Sequence, residues 1–146
     1  MHLKSIVATL CAVAALPSTA VLAQESAPGA AAGANMGTIV FFRAKKFAGA
    51  AVGYKVREGE VELCRLRNAS YCIIQATPGK HLYTVHSEAK DILTLEVDPG
   101  ETYHVIGGIT VGVLAGRPNL SPSDAATFEA MKSELKDVTG QGLDKG

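Results

Sequence analysis

Between Gly37 and Val113 the chain alternates apolar and polar residues in short runs broken by Gly, Pro and Asn. A two-residue period with turn residues every eight to twelve positions is the mark of β-strands. Gly37–Arg43 (GTIVFFR) is β-branched and aromatic and reads as an opening strand. Val52–Arg57, Val61–Leu66 and Tyr71–Ala76 follow, with turns at Glu58-Gly59-Glu60 and Arg67-Asn68-Ala69. Lys80–Ser87 and Ile92–Val97 come next. In the latter, Leu93, Leu95 and Val97 share one face and Thr94 and Glu96 the other. Thr77-Pro78-Gly79 and Asp98-Pro99-Gly100 each place Pro before Gly; proline presets the first turn angle and glycine supplies positive φ. Glu101–Val113 reads as the last strand, with Gly107-Gly108 predicting a bulge or a close backbone approach.

Only the C-terminal part carries a helical period. Ser121-Pro122-Ser123-Asp124 offers an N-cap, a proline at the first helical position and an acid in the first turn. Phe128, Met131, Leu135 and Val138 then recur at intervals of three and four as one apolar stripe, ended by Gly140-Gln141-Gly142. The stripe is expected to pack on the domain's own sheet, the alternative being a partner. No helical pattern separates the strands, so a parallel sheet is disfavoured. The predicted fold is mainly β, an antiparallel β-sandwich with one C-terminal α-helix spanning 37–140.

The N-terminus carries a different signal. Met1–Lys4 holds one positive charge, Ser5–Ala15 is apolar, Pro17 breaks it, and Val21-Leu22-Ala23 places small residues before Gln24. That order predicts a cleavable secretory signal over 1–23, and an apolar run too short for a comfortable membrane span. Residues 24–36 (QESAPGAAAGANM) are small and polar and predict a flexible leader. Residues 141–146 predict a disordered tail. The expected compartment is periplasmic or secreted, with no transmembrane segment in the mature chain.

Cys11 falls in the signal, leaving Cys64 and Cys72. An even pair in an oxidising compartment predicts a disulfide. A hairpin folded about Asn68 would set the two opposite one another; the alternative is two buried thiols. The full chain balances 14 basic against 14 acidic residues. Loss of Lys4 with the signal leaves 13 against 14, a net charge of −1. Such a balance predicts no preference for nucleic acid or an anionic membrane.

Catalytic patterns do not stand out. His81 and His86 lie an odd number of residues apart on one strand and point to opposite faces, whereas His81 and His104 could meet across strands. No Gly-x-Ser-x-Gly elbow or phosphate loop occurs. No metal or other cofactor is implied. Arg43 closes an apolar strand, where it could snorkel or pair with Glu62 or Glu96. Arg43, His81, Tyr103 and His104 are the candidate ligand contacts.

The strings GTIVFFR, PGKHLYTV and LEVDPGETYHV, with the late helix, resemble the bacterial proteins grouped as domain of unknown function 2846. The resemblance covers roughly Met36 to Lys136. In that pattern an opening strand ends in arginine, here Arg43; a Pro-Gly-x-His turn follows, here Pro78, Gly79 and His81; a Gly-x-x-Tyr step comes later, here Gly100 and Tyr103. The resemblance implies an exported sandwich-like domain with no activity assigned. PEGA-like and transthyretin-like sandwich modules share the Pro-Gly-x-strand phrase. The expectation is a non-catalytic binding or structural module of the cell envelope, its partner an envelope protein or a glycan. The alternative is a small histidine- or metal-dependent enzyme or enzyme accessory using His81, His104 and Arg43.

Overall fold

A computed structural model describes residues 35–87, 89–110 and 116–141. The signal 1–23, most of the leader, the end of the last predicted strand and nearly all of the tail lie outside the described residues. The strands are β1 (Gly37–Arg43), β2 (Tyr54–Glu58), β3 (Val61–Leu66), β4 (Ser70–Ala76), β5 (Gly79–His86), β6 (Lys90–Val97), β7 (Thr102–Thr110), β8 (Arg117–Ser123) and the short β9 (Lys136–Asp137). Among the described residues one helix, α1 (Ala125–Lys132), lies between β8 and β9. The strands form a sandwich of two sheets, ordered β8-β7-β1-β4-β9 and β3-β2-β5-β6.

β1 is central in its sheet and covered on both faces. Ile39 and Phe41 point into the space between the sheets, where Tyr54, Val56, Leu66, Tyr83, Val85 and Val105 meet them. Val40 and Phe42 point outward and are covered by Phe128 and Leu135. This accounts for the unbroken apolar run of β1, since a strand buried on both faces loses the usual alternation. The apolar stripe of the C-terminal segment is therefore core of this domain. Burying side chains the size of Phe128 and Leu135 stabilises by about 1.5–3 kcal/mol each.

The structure revises five details. First, β3 and β4 are not a hairpin. β3 pairs with β2, and β4 pairs with β1 in the opposite sheet. The turn at 67–69 carries the chain from one sheet to the other, with Ala69 at φ 53. Cys64 and Cys72 are bonded, their Cα atoms 6.6 Å apart, so the disulfide joins the two sheets.

Second, the segment before the helix is a strand. β8 pairs with β7 from His104↔Ser123 to Thr110↔Arg117. It tolerates Pro118 and Pro122 because it is the sheet's edge, where a missing N–H faces no partner.

Third, the N-cap is Asp124 rather than Ser121: its carboxylate accepts from the Thr127 N–H at 2.8 Å. The helix stops at Lys132. Leu135 and Val138 belong to the following segment, where Lys136 and Val138 donate N–H bonds to the Ala69 and Tyr71 carbonyls.

Fourth, Gly107-Gly108 is not a bulge, since the β7–β8 register runs through it without a shift. A Cβ at Gly107 would overlap the Tyr54 hydroxyl, and one at Gly108 the Asn119 amide. Side chains, not backbone, make the close approach. Fifth, the sandwich is not purely antiparallel: β1–β7 and β4–β9 are parallel pairs, so the five-stranded sheet is mixed, the chain from β1 returning to β7 through strands of the other sheet instead of a crossover helix.

Candidate functional site

The four candidate contact residues are each engaged inside the fold, and they do not converge. Arg43 is 3% exposed at the end of β1. Its guanidinium donates to the Val52 carbonyl and, at 2.7 Å, to the Gly49 carbonyl. Its Cζ lies 5.5 Å from the centre of the Tyr54 ring. Burial lowers its pKa, while the neighbouring Tyr54 opposes that shift. The same burial pushes the Tyr54 hydroxyl up to about 12. Arg43 therefore bonds loop carbonyls, not Glu62 or Glu96; Glu62 pairs instead with Lys55.

Tyr103 secures the turn between β6 and β7. Its hydroxyl accepts from the Asp98 N–H at 3.0 Å and donates to the Asp98 carboxylate at 3.1 Å. His104 lies on the outer face of the five-stranded sheet, 5.6 Å from the Phe128 ring. It stands near Asp124, whose carboxyl is held below the usual range chiefly by the Thr127 N–H and hydroxyl, with a smaller contribution from His104.

His81 sits on β5 in the other sheet, so it does not meet His104. Its Nδ1 lies 2.6 Å from the Glu58 carboxylate and its Nε2 2.7 Å from the Thr77 carbonyl. The ring stacks on Tyr83 with centroids 5.9 Å apart. Both partner atoms can only accept, so both ring nitrogens donate and the bonded form is the imidazolium. Burial lowers the His81 pKa, but the Thr77 carbonyl and Glu58 outweigh it and the net shift is upward.

A His pKa raised on folding contributes stability that is complete below the unfolded value of about 6.5 and is lost as pH rises through the folded value. The melting temperature of the wild type is therefore expected to fall over that window, and His81→Gln to flatten the fall. An equal fall in both proteins, followed by circular dichroism, would show that other groups carry it.

The exposed charges do form a pattern. One end of the sandwich is set by the pairs Arg43↔Ser70, Tyr54↔Leu66, His86↔Lys90 and Thr110↔Arg117. The other is set by Gly37↔Ala76, Glu58↔Val61 and Gly79↔Val97. The first end carries exposed Lys45, Lys46, Arg65, Arg67, Lys90 and Lys136. The second carries exposed Glu60, Glu96, Asp98 and Glu101; Glu58 and Arg57 there, like Asp91 at the first end, are half-buried, and Glu58 is paired with His81. Lys80 at the acidic end and Glu134 and Asp137 at the basic end are minority charges among the described residues. No family model matches the chain, and no curated protein matches it.

The basic end is built, not incidental. Arg43 fixes the connection from β1 to β2 by holding two of its carbonyls. Within that connection the N–H groups of Ala50 and Val52 close turns onto the Phe47 and Gly49 carbonyls, with Gly49 at φ 74. The Lys46 N–H donates to the Asn68 side chain at 2.9 Å, tying this loop to the turn between β3 and β4. Lys45 and Lys46 are thereby placed beside Arg67. Arg65, Arg67 and Lys136 line a shallow depression with Asn68 and Ser70. Across the adjoining sheet face, Arg65 stands opposite Lys55, whose ammonium is paired with Glu62.

Sequence reading missed this site because it summed charge over the chain. A signal was present. Strands that alternate in direction bring every second connection to the same end; Lys45, Lys46 and Arg67 fall on such connections, and Arg65 and Lys90 at the strand ends beside them.

Proposed function

We propose that the protein is an exported, non-catalytic binding module of the cell envelope that receives an anion-bearing partner on the basic end of its sandwich. The observation that carries this reading is the segregation of exposed cations from exposed carboxylates in a chain whose charges otherwise balance. A domain polarised in this way orients in the field of an anionic partner, and rim cations raise the rate of encounter more than they deepen affinity. The secretory signal expected over residues 1–23 and the disulfide Cys64–Cys72 support an extracytoplasmic setting.

The test is retention on a heparin support at low salt. The wild type is expected to be retained and to elute as salt rises, because exposed charges act over a Debye length of about 10 Å at 0.1 M. The double variant Lys45→Glu and Lys46→Glu should pass through, and Glu60→Gln at the opposite end should behave as the wild type. A wild type that flows through at low salt would overturn the reading.

A further inference from the structure

We propose that the anionic partner is a phospholipid surface, and that Phe47 enters the lipid interface while the surrounding cations meet headgroup phosphates. The inference rests on the reading of the basic end as a binding face and names what that face binds.

Phe47 is 101% exposed, the most exposed large hydrophobic residue among those described. It sits on the loop between β1 and β2 with its side chain fully in solvent, and the loop does not leave it there for want of structure. Arg43 holds the Gly49 and Val52 carbonyls from below, and Asn68 holds the Lys46 N–H from the side. Its chain neighbours are Lys45 and Lys46 on one side and the small residues Ala48, Gly49, Ala50 and Ala51 on the other. An apolar ring at the tip with cations set just behind it matches the layering of a membrane interface, apolar beneath and anionic above.

A cleft-bound glycan fits less well. Phe47 does not line the depression that its neighbours Lys46 and Ala48 form with Arg43 and Asn119, and the cations lie on connections and strand ends around the end of the sandwich. The chain also contains no Trp for stacking on sugars. No helix among the described residues is long and apolar enough to cross a membrane.

Co-sedimentation with large vesicles tests this. The full mature chain is expected to pellet with vesicles of phosphatidylglycerol mixed with phosphatidylcholine, to stay in the supernatant with phosphatidylcholine alone, and to be released by salt. Phe47→Ala should weaken vesicle binding about tenfold or more while leaving heparin retention unchanged. Removing Lys45 or Lys46 should weaken both, by roughly fivefold per lysine on vesicles. Because the chain holds no Trp, Phe47→Trp makes a single fluorescent reporter; its emission should shift to the blue on anionic vesicles.

The exposure of Phe47 means that neither variant disturbs the core, which far-ultraviolet circular dichroism will verify. Retention on heparin without vesicle binding would overturn the lipid assignment and leave the basic end as a site for a soluble polyanion or an acidic protein. Vesicle binding with no change in Phe47→Ala or no shift in Phe47→Trp would overturn the insertion. Loss of heparin retention and vesicle binding alike would remove the basis of both.

Discussion

Replacing Cys64 and Cys72 together with alanine is expected to lower the melting temperature by roughly 10–20 °C. The bond closes a loop of eight-residue separation, and chain-entropy arguments give such a closure roughly 2–3 kcal/mol. In a domain of this size each kcal/mol moves the midpoint by about 4–8 °C. Position raises the stakes. The bond ties β3 in one sheet to β4 in the other, next to the turn where the chain changes sheets. Both cysteines are fully buried among Phe41, Val56 and Leu66, so alanine also leaves small voids. Calorimetry of the oxidised protein, the reduced protein and the double variant measures the effect. A double variant melting within about 3 °C of the oxidised wild type would mean that the sheets hold together by packing alone.

The second large effect is expected at Arg43. Arg43→Ala should cost about 2–3 kcal/mol and release the loop between β1 and β2. Two carbonyls, those of Gly49 and Val52, lose their charged donor; hydrogen bonds to charged groups contribute about 1.5–3 kcal/mol each. Some of that is recovered when water reaches the carbonyls, and the cost of burying a cation disappears. The void beside Tyr54 adds to the loss. Arg43→Lys should rescue little, because a single ammonium lacks the planar fork that reaches both carbonyls.

Hydrogen exchange separates this local effect from general destabilisation. The N–H groups of Ala50 and Val52 should lose protection in Arg43→Ala before the strands do. Unchanged protection there, with an unchanged melting temperature, would show that the loop holds its shape without the arginine. Binding should weaken with the loop, since Lys45, Lys46 and Phe47 are placed by it.

Much of the architecture was legible in the chain because strands, turns and the late helix each carry local chemistry. The alternation in Ile92–Val97 is the alternation of exposure in β6. The Pro-Gly turns are there, with Gly79 and Gly100 at positive φ. The disulfide was readable from parity and compartment.

What stayed hidden depends on neighbours distant in sequence. Ser121-Pro122-Ser123-Asp124 reads as the start of the helix, yet its first three residues belong to β8, and only that strand's place at an edge admits its prolines. Cys64 and Cys72 look like hairpin partners because nothing local reveals that β3 and β4 separate into different sheets. The stripe through Phe128 and Leu135 looks like one helix, although the helix supplies only its first part.

The site was the least legible. Arg43, His81, Tyr103 and His104 attract attention as isolated polar residues in an apolar setting. Each is explained by the strand end, turn or helix it stabilises or packs beneath. The residues now assigned to binding are ordinary surface lysines and arginines whose meaning comes from sharing an end. Phe47 gives no sign in sequence that it stands clear of the core.

The claim that the basic end is the binding face is tested most directly by titrating isotopically labelled protein with a short polyphosphate and following backbone amide shifts. The account predicts fast-exchange perturbations confined to the loop from Ala44 to Gly53, the turn at Arg67–Ala69 and the vicinity of Lys136, fading as salt is added. Perturbations centred on the turns at Glu58–Glu60 and Asp98–Glu101, or none at low salt, would contradict it.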